Sequence, residues 1–472
     1  MSAQLLKTLA AILEPAGLKS GGDLGAFELD WRKRYRGRAL AVAMPRTAAE
    51  AAAVVRACAA HGVPLVPQGG NTGLVGGGVP DATGRQVVLS TRRMNRVREV
   101  DALNLSITVE AGCTLHDVQQ AAAAHDLLFA LSLASEGQCT IGGNLATNAG
   151  GTQVLRYGTA RELCLGLEVV TAQGEIWDGL RALRKDNAGY ALRELYIGSE
   201  GTLGLITAAT LRLFARPRAQ ACALIACADL HACMDLLGAA RSAFDARLSG
   251  FEAMNHASTA LVRRHFAALC AQWPEALANA PWVVLMALGD VQSQARLDDD
   301  LQQFLHPLQA AGRIDGATLA HSLAQQHAMW QMRESISSAQ SLEGLNVKHD
   351  IALPASRLAD FVSDTNARLQ AQWPGIRPVT FGHLGDGNLH YNFQAPPGHD
   401  PAAFLAQHEP AINALVFDQV HAHGGSIAAE HGIGQLRRDA LAWHAPPAAL
   451  STMRAIKQAL DPQSLFNPGR VV

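Results

Sequence analysis

Pro67-Gln68-Gly69-Gly70-Asn71-Thr72-Gly73-Leu74-Val75-Gly76-Gly77-Gly78 is half glycine, and it follows directly on the apolar run Val63–Val66. A strand opening into such a loop exposes successive backbone N–H groups, which form a concavity suited to phosphate oxygens. Neither dinucleotide fingerprint that opens a helix is present: there is no GxGxxG in a short βαβ unit and no GK[ST]. Nicotinamide and ATP sites therefore have little support. Two further loops repeat the composition, Ile141-Gly142-Gly143-Asn144-Leu145-Ala146-Thr147-Asn148-Ala149-Gly150-Gly151 and Gly198-Ser199-Glu200-Gly201-Thr202-Leu203-Gly204. One loop alone reads as an ordinary set of tight turns. Three together suggest a long ligand with a pyrophosphate, touched along its length by backbone.

Outward from these loops the first half alternates helical and extended patterns. Thr47 to His61 reads as a helix with Thr47 as N-cap and Glu50 at the third position, ending at Gly62. Val87–Ser90, Ser106–Glu110, Cys164–Thr171, Gly174–Trp177 and Gly204–Phe214 read as strands, and His116 to His125 as a helix. The segment Gly137 to Gly151 is too rich in glycine for a helix or strand interior. At Arg216-Pro217-Arg218 the texture changes to longer helices (Leu230–Phe244, Gln292–Ala311, Leu323–Leu342) around the strand Trp282–Leu288. A last helix, Pro447 to Leu460, stops at Asp461-Pro462. The expected domains are 1–215, 216–440 and a C-terminal segment 441–472.

With 472 residues, two or three domains are expected. The 39 basic and 41 acidic side chains leave a formal charge of −2, which argues against a nucleic-acid binder dependent on clustered cations. The eight cysteines form no CxxC pair and no ferredoxin-like spacing, so buried free thiols in a reducing cytoplasm are expected and no iron–sulfur cluster is. Met1 to Gly17 reads as a short amphipathic helix rather than a targeting signal, and no window has the ~18 uninterrupted apolar residues of a membrane span.

Phe381-Gly382-His383-Leu384-Gly385-Asp386-Gly387-Asn388-Leu389-His390-Tyr391-Asn392 reads as strand, turn, strand, with Asp386-Gly387 supplying the turn. In a hairpin, His383 and His390 face each other at metal-ligand reach, and Asn392 projects from the face of His390. Glu430-His431-Gly432-Ile433-Gly434 follows, its glycines permitting close backbone approach. Two neutral imidazoles and a carboxylate with open positions suit a catalytic divalent ion, zinc first, with manganese, iron or cobalt as alternatives. Arg333 and Ser337, four apart, are expected on one helix face, and Lys348 follows in Asn346-Val347-Lys348-His349-Asp350. Such cations can converge on a substrate carboxylate, though a solvated helix face explains them as well.

These motifs resemble the vanillyl-alcohol-oxidase type FAD fold, and most closely its FAD-linked 2-hydroxyacid dehydrogenase branch. The resemblance runs from about Pro45 to Val472. It implies an α+β protein: a FAD-binding domain of two α+β subdomains, then an α+β substrate domain with an antiparallel sheet, with the C-terminal tail returning to the flavin. By motif, Gln68, Gly69, Gly70, Asn71, Thr72, Gly73, Leu74 and Val75 cradle the pyrophosphate. Gly137, Gly142, Gly143, Thr147, Asn148 and Gly151 line the flavin, with Glu200, Gly201 and Ile206 beside it and Asn467 closing the site. Relatives with covalent flavin commonly carry histidine near the place of Asn71, so noncovalent FAD is implied.

GHxGDGNxH and EHGIG are signatures of the metal-containing dehydrogenases of this branch. They imply His383, His390 and Glu430 as ligands and His431 as catalytic base, with Arg333, Ser337, Lys348 and Asn392 on the substrate. The implied reaction oxidises a D-2-hydroxy acid to the 2-oxo acid. D-2-hydroxyglutarate is the first choice because two cations suit a dicarboxylate, and D-lactate, glycolate and D-malate are alternatives. The sequence does not name the electron acceptor: an electron-transferring flavoprotein, a quinone and a cytochrome all stay open, with O₂ less favoured. A cytoplasmic location, peripheral to the inner membrane, and a homodimer complete the expectation. Two rivals are a flavin-free metallohydrolase, which leaves the loops unexplained, and a flavin-bearing but catalytically incomplete subunit, which leaves the histidine cluster unexplained.

Overall fold

A computed structural model describes residues 2–271 and 273–472, so Met1 of the expected N-terminal helix lies outside the described residues. The chain divides into two compact units, the first comprising 1–151, 158–216 and 430–472 and the second 152–157 and 217–429. The chain re-enters the first unit at Glu430, where the sequence reading placed 441.

Among the described residues the first unit carries two larger sheets and one two-stranded sheet. One sets Leu18–Lys19, Ala39–Ala43, Gln86–Ser90 and Leu65–Gln68 side by side, the last three parallel. The helix Ala48–Ala60 makes the crossover into Leu65–Gln68, as parallel pairing requires. Thr47 caps it by accepting from the Glu50 N–H, while the Glu50 carboxylate accepts from Arg46 N–H. Val54, Val55 and Cys58 on its buried face meet Leu65, Val87 and Leu89 in one core. The other larger sheet is antiparallel, in the order Val97–Asp101, Ser106–Glu110, Gly204–Arg212, Cys164–Thr171, Ile176–Gly179.

In the first unit three local expectations change. The glycine-rich second loop contains a helix, Ile141–Ala146. Its glycines serve packing: a Cβ on Gly142 would lie 2.7 Å from Ala111 Cβ, so only glycine lets this turn sit against the strand-end residue Ala111. The strand expected at Gly174–Trp177 starts instead at Ile176, because Gly174, at φ +72°, belongs to the preceding turn. The run Gly204–Phe214 is two strands, Gly204–Arg212 and Phe214–Ala215, the second pairing with Leu127–Leu128.

The second unit is built on an eight-stranded antiparallel sheet among the described residues. Its order is Gly316–Leu319, Ala219–Cys227, Trp282–Asp290, Leu248–Asn255, Arg377–His383, Asn388–Gln394, Asn346–Val347, with Asp350–Ala352 also on Asn388–Gln394. Leu230–Phe244 is helical as expected, capped by Asp229. The expected single helix Leu323–Leu342 breaks at Ser335 into Leu323–Glu334 and Ile336–Leu342. Serine favours such turns by competing for backbone hydrogen bonds. All eight cysteines are buried and unbonded, and burial pushes the Cys58 and Cys164 thiols up to about 12, which leaves them unreactive.

Candidate active site

In the first unit the loop after Leu65–Gln68 opens into a cleft whose free space, its solvent-open mouth included, is about 1020 Å³. Gln68 to Gly73, Val75, Gly142, Gly143, Thr147, Glu200, Gly201 and Ile206 line it, as expected residues, and so does His431. Leu74, Gly137, Asn148, Gly151 and Asn467 are not among the lining residues. Gly137 is exposed, and a Cβ there would meet nothing within 4 Å. Asn148 holds a positive φ of 49° and accepts from Thr159 Oγ1 and the Arg161 N–H, so it shapes the loop's exit.

The walls are fastened by side chains that the loop pattern brings together. Gln68 Nε2 donates to the carbonyls of Phe27 and Gly78, and Asn71 Nδ2 donates to those of Ala26 and Leu29. Asn467, 1% exposed and at φ +46°, donates from Nδ2 to both Gly77 O and Glu200 O, tying the first loop to the third. The Glu200 carboxylate accepts the N–H groups of Ile433 and Gly434, each at 2.7 Å. Burial pushes that carboxyl up, and the two N–H donors draw it only part of the way back. Glu430 Oε1 accepts the Gly151 N–H at 2.5 Å. The Glu-His-Gly-Ile-Gly segment is thus pinned on both sides of His431.

Gly432 is required at its place. It holds φ +80°, and a Cβ would lie 2.7 Å from Glu200 Oε1. Gly432→Ala is expected to cost about 1–3 kcal/mol of stability. A lowered midpoint in thermal unfolding of the first unit checks this, and an unchanged midpoint refutes it.

The residues of this cleft fit FAD. Three buried side-chain oxygens on its walls, Gln68 Oε1, Thr91 Oγ1 and Thr140 Oγ1, have no hydrogen-bond partner among the described residues. Buried polar atoms are rarely left so, and a polar ligand with phosphates, ribose and a flavin ring supplies partners.

In the second unit the hairpin Arg377–His383 and Asn388–Gln394 carries the two histidines. Its register pairs His390 with Phe381, so His383 lies diagonal to His390 rather than directly across, with ring centroids 5.5 Å apart. Gly387, at φ +88°, makes the turn. A Cβ on Gly385 would lie 2.7 Å from Leu155 Cδ2, in the short 152–157 segment of this unit.

Each histidine turns Nδ1 toward a buried carboxylate. His383 Nδ1 is 2.7 Å from Glu252 Oε1, and His390 Nδ1 is 4.0 Å from Asp350 Oδ1. Asp350 and His390 bring ligand-type atoms within 4.8 Å of each other, and so, in the first unit, do Glu430 and His431. The sequence reading assigned no role to Glu252 or Asp350. Glu252 had one signal, a lone carboxylate in the apolar strand Leu248–Asn255. Burial alone would raise the Glu252 carboxyl, but the adjacent His383 and Arg333 outweigh it and hold it at about 2.

Arg333 is buried, its Nε 2.8 Å from Glu252 Oε2 and its guanidinium carbon 5.1 Å from the Phe381 ring centre. Its Nη2 is buried and has no acceptor among the described residues. Ser337 lies beyond the break at Ser335 and is exposed, so the four-residue spacing does not put it on the face of Arg333. Lys348 stands half-buried two residues before Asp350, whose strand pairs with that of His390. Asn392 is buried, donating to Gln340 Oε1 and accepting the His349 N–H, so it braces the Lys348 segment.

The model for the C-terminal domain of FAD-linked oxidases matches residues 216–471, and that for a FAD-binding domain matches 39–179. The chain belongs to the FAD-linked oxidoreductases of vanillyl-alcohol-oxidase type. It is 36% identical over 450 residues to the mitochondrial D-2-hydroxyglutarate dehydrogenase of Bos taurus, covering 95% of this chain and 80% of that protein. The D-2-hydroxyglutarate dehydrogenase of Xanthomonas citri pv. viticola is 37% identical over 470 residues, covering 99% and 95%. In fold, the chain matches p-cresol methylhydroxylase with substrate bound at a TM-score of 0.77 and 16% identity, covering 99% and 96%.

Proposed function

We propose that the chain oxidises a D-2-hydroxy acid, D-2-hydroxyglutarate first, to the 2-oxo acid, using noncovalently held FAD. The observation that carries the substrate assignment is the buried Arg333 guanidinium, with an unpartnered Nη2, on the same sheet face as His383 and Phe381. A carboxylate is the partner such a donor calls for. The names of the relatives support the same acid.

Gln68 to Val75, Gly142, Gly143, Thr147, Glu200, Gly201 and Ile206 hold the cofactor in this reading. Bound FAD supplies the hydride acceptor for C2 of the acid. His383, His390 and Glu430 hold a divalent ion, zinc by expectation, which supplies Lewis acidity toward the α-hydroxyl. His431 takes the hydroxyl proton as C2 is oxidised. Arg333 and Lys348 neutralise the carboxylates and orient the acid, and Asn392 acts through the segment it braces. The proposed electron acceptor is an electron-transferring flavoprotein or a quinone, in a cytoplasmic setting peripheral to the inner membrane, and the proposed assembly is a homodimer. No helix among the described residues is long and apolar enough to cross a membrane.

The test is an anaerobic absorbance spectrum of the purified protein before and after adding D-2-hydroxyglutarate, with D-lactate, D-malate and the L-isomer in parallel. Bleaching of a flavin band near ~450 nm by D-2-hydroxyglutarate at the lowest concentration supports the reading. Preferential bleaching by D-lactate moves the substrate to the monocarboxylates, and no bleaching by any acid refutes it. Chelation of the metal is expected to lower kcat by about 10²-fold or more with the flavin band intact, and added zinc to restore it. Full activity after exhaustive chelation would remove the metal from the mechanism.

A further inference from the structure

Leu248–Asn255 is a core strand with one carboxylate at its centre. Glu252 is 1% exposed, and the register of the sheet places it directly opposite His383 on the adjacent strand. Its two oxygens are divided between two groups from other elements: Oε1 lies 2.7 Å from His383 Nδ1, and Oε2 2.8 Å from Arg333 Nε. A carboxylate that shares its oxygens between an imidazole and a guanidinium N–H accepts from both, so Nδ1 carries the ring proton of His383 and Nε2 is its unprotonated, ligand-type nitrogen. On the other side, tying Nε fixes the plane of the guanidinium while Nη2 remains without an acceptor among the described residues. Burying a carboxylate in an apolar strand is costly unless its partners repay the lost hydration, and apolar side chains could fill a core position alone.

We infer that Glu252 is a positioning residue that presets His383 for the metal and Arg333 for the carboxylate of the acid. The inference rests on the function proposed above, in which His383 is a ligand and Arg333 meets the acid. Because one rigid group holds both partners, a change at Glu252 moves two observables at once. A merely structural carboxylate would move neither.

Glu252→Gln offers one acceptor oxygen to two N–H donors, so at least one contact is lost with little change in volume. The flavin-loaded, metal-stripped enzyme is titrated calorimetrically with Zn²⁺ as wild type, Glu252→Gln, Glu252→Asp and His383→Ala. KM for D-2-hydroxyglutarate is then measured on the zinc-loaded forms. Glu252→Gln is expected to bind zinc about 10- to 100-fold more weakly, with KM raised about 10-fold and the flavin complement unchanged. Glu252→Asp, with the charge kept and the reach shortened, is expected to fall between it and wild type.

Wild-type zinc affinity and KM in Glu252→Gln, with only a lower unfolding temperature, would overturn the inference. If that variant does not fold, Glu252→Asp decides on the same scale: weaker zinc binding and raised KM support the inference, and wild-type values overturn it. Wild-type zinc affinity in His383→Ala is a different failure. It would refute the ligand assignment of the proposed function, and the inference with it.

Discussion

Replacing His431 by alanine is expected to lower kcat by about 10²- to 10⁴-fold with FAD still bound, the usual contribution of a positioned general base. The expectation comes from how the residue is held. His431 lines the FAD cleft, and the residues around it are fixed by bonds that do not involve its imidazole: Glu430 to the Gly151 N–H, and the Ile433 and Gly434 N–H groups to Glu200. Truncating the side chain therefore removes a proton acceptor and leaves the backbone that borders the cleft in place. Single-turnover flavin reduction followed by stopped-flow absorbance isolates this step from reoxidation. A His431→Ala variant that reduces its flavin at the wild-type rate would assign the proton to another group.

Gly70→Ala should weaken the protein's hold on its flavin. A Cβ at Gly70 would overlap the Gln138 carbonyl oxygen and lie 3.1 Å from the Cys139 Cα, and both obstacles are backbone. No rotamer change relieves that overlap, so the first and second loops must move apart. Overpacking of this kind costs about 1–3 kcal/mol, which corresponds to roughly 10- to 100-fold weaker FAD binding. The ratio of flavin to protein absorbance after gel filtration, and titration of the apoprotein with FAD, measure it. Gly137→Ala is the contrast: its site is exposed and a Cβ meets nothing, so FAD affinity within twofold of wild type is expected. Equal flavin retention by both variants would refute the close-approach argument for Gly70.

Much of the site is legible because its signals are local. Glycine pairs, Asp386-Gly387 and the Glu-His-Gly-Ile-Gly run report turn chemistry and close approach within a few residues of themselves. The cap at Thr47, the helix Leu230–Phe244 and the strands Ser106–Glu110 and Cys164–Thr171 follow from equally short patterns. Composition misleads at Ile141–Ala146, where glycine marks tight packing of a helix. Period misleads at Leu323–Leu342, where helical spacing continues across a break that turns Ser337 outward.

By itself, then, the sequence determined the loops that suit a pyrophosphate, the two histidines on a hairpin and the glutamate–histidine pair. Each is a property of a short stretch whose backbone has few alternatives. Only the tertiary structure decided what stands behind them. Glu252 is 131 residues from His383 and 81 from Arg333, and it meets both because strand pairing sets it opposite one and packing brings the other down on it. Asn467 reaches Gly77 and Glu200 across hundreds of residues in the same way. Such partners are chosen by register and burial, and a carboxylate or amide in an apolar strand carries no mark of which distant donor will claim it.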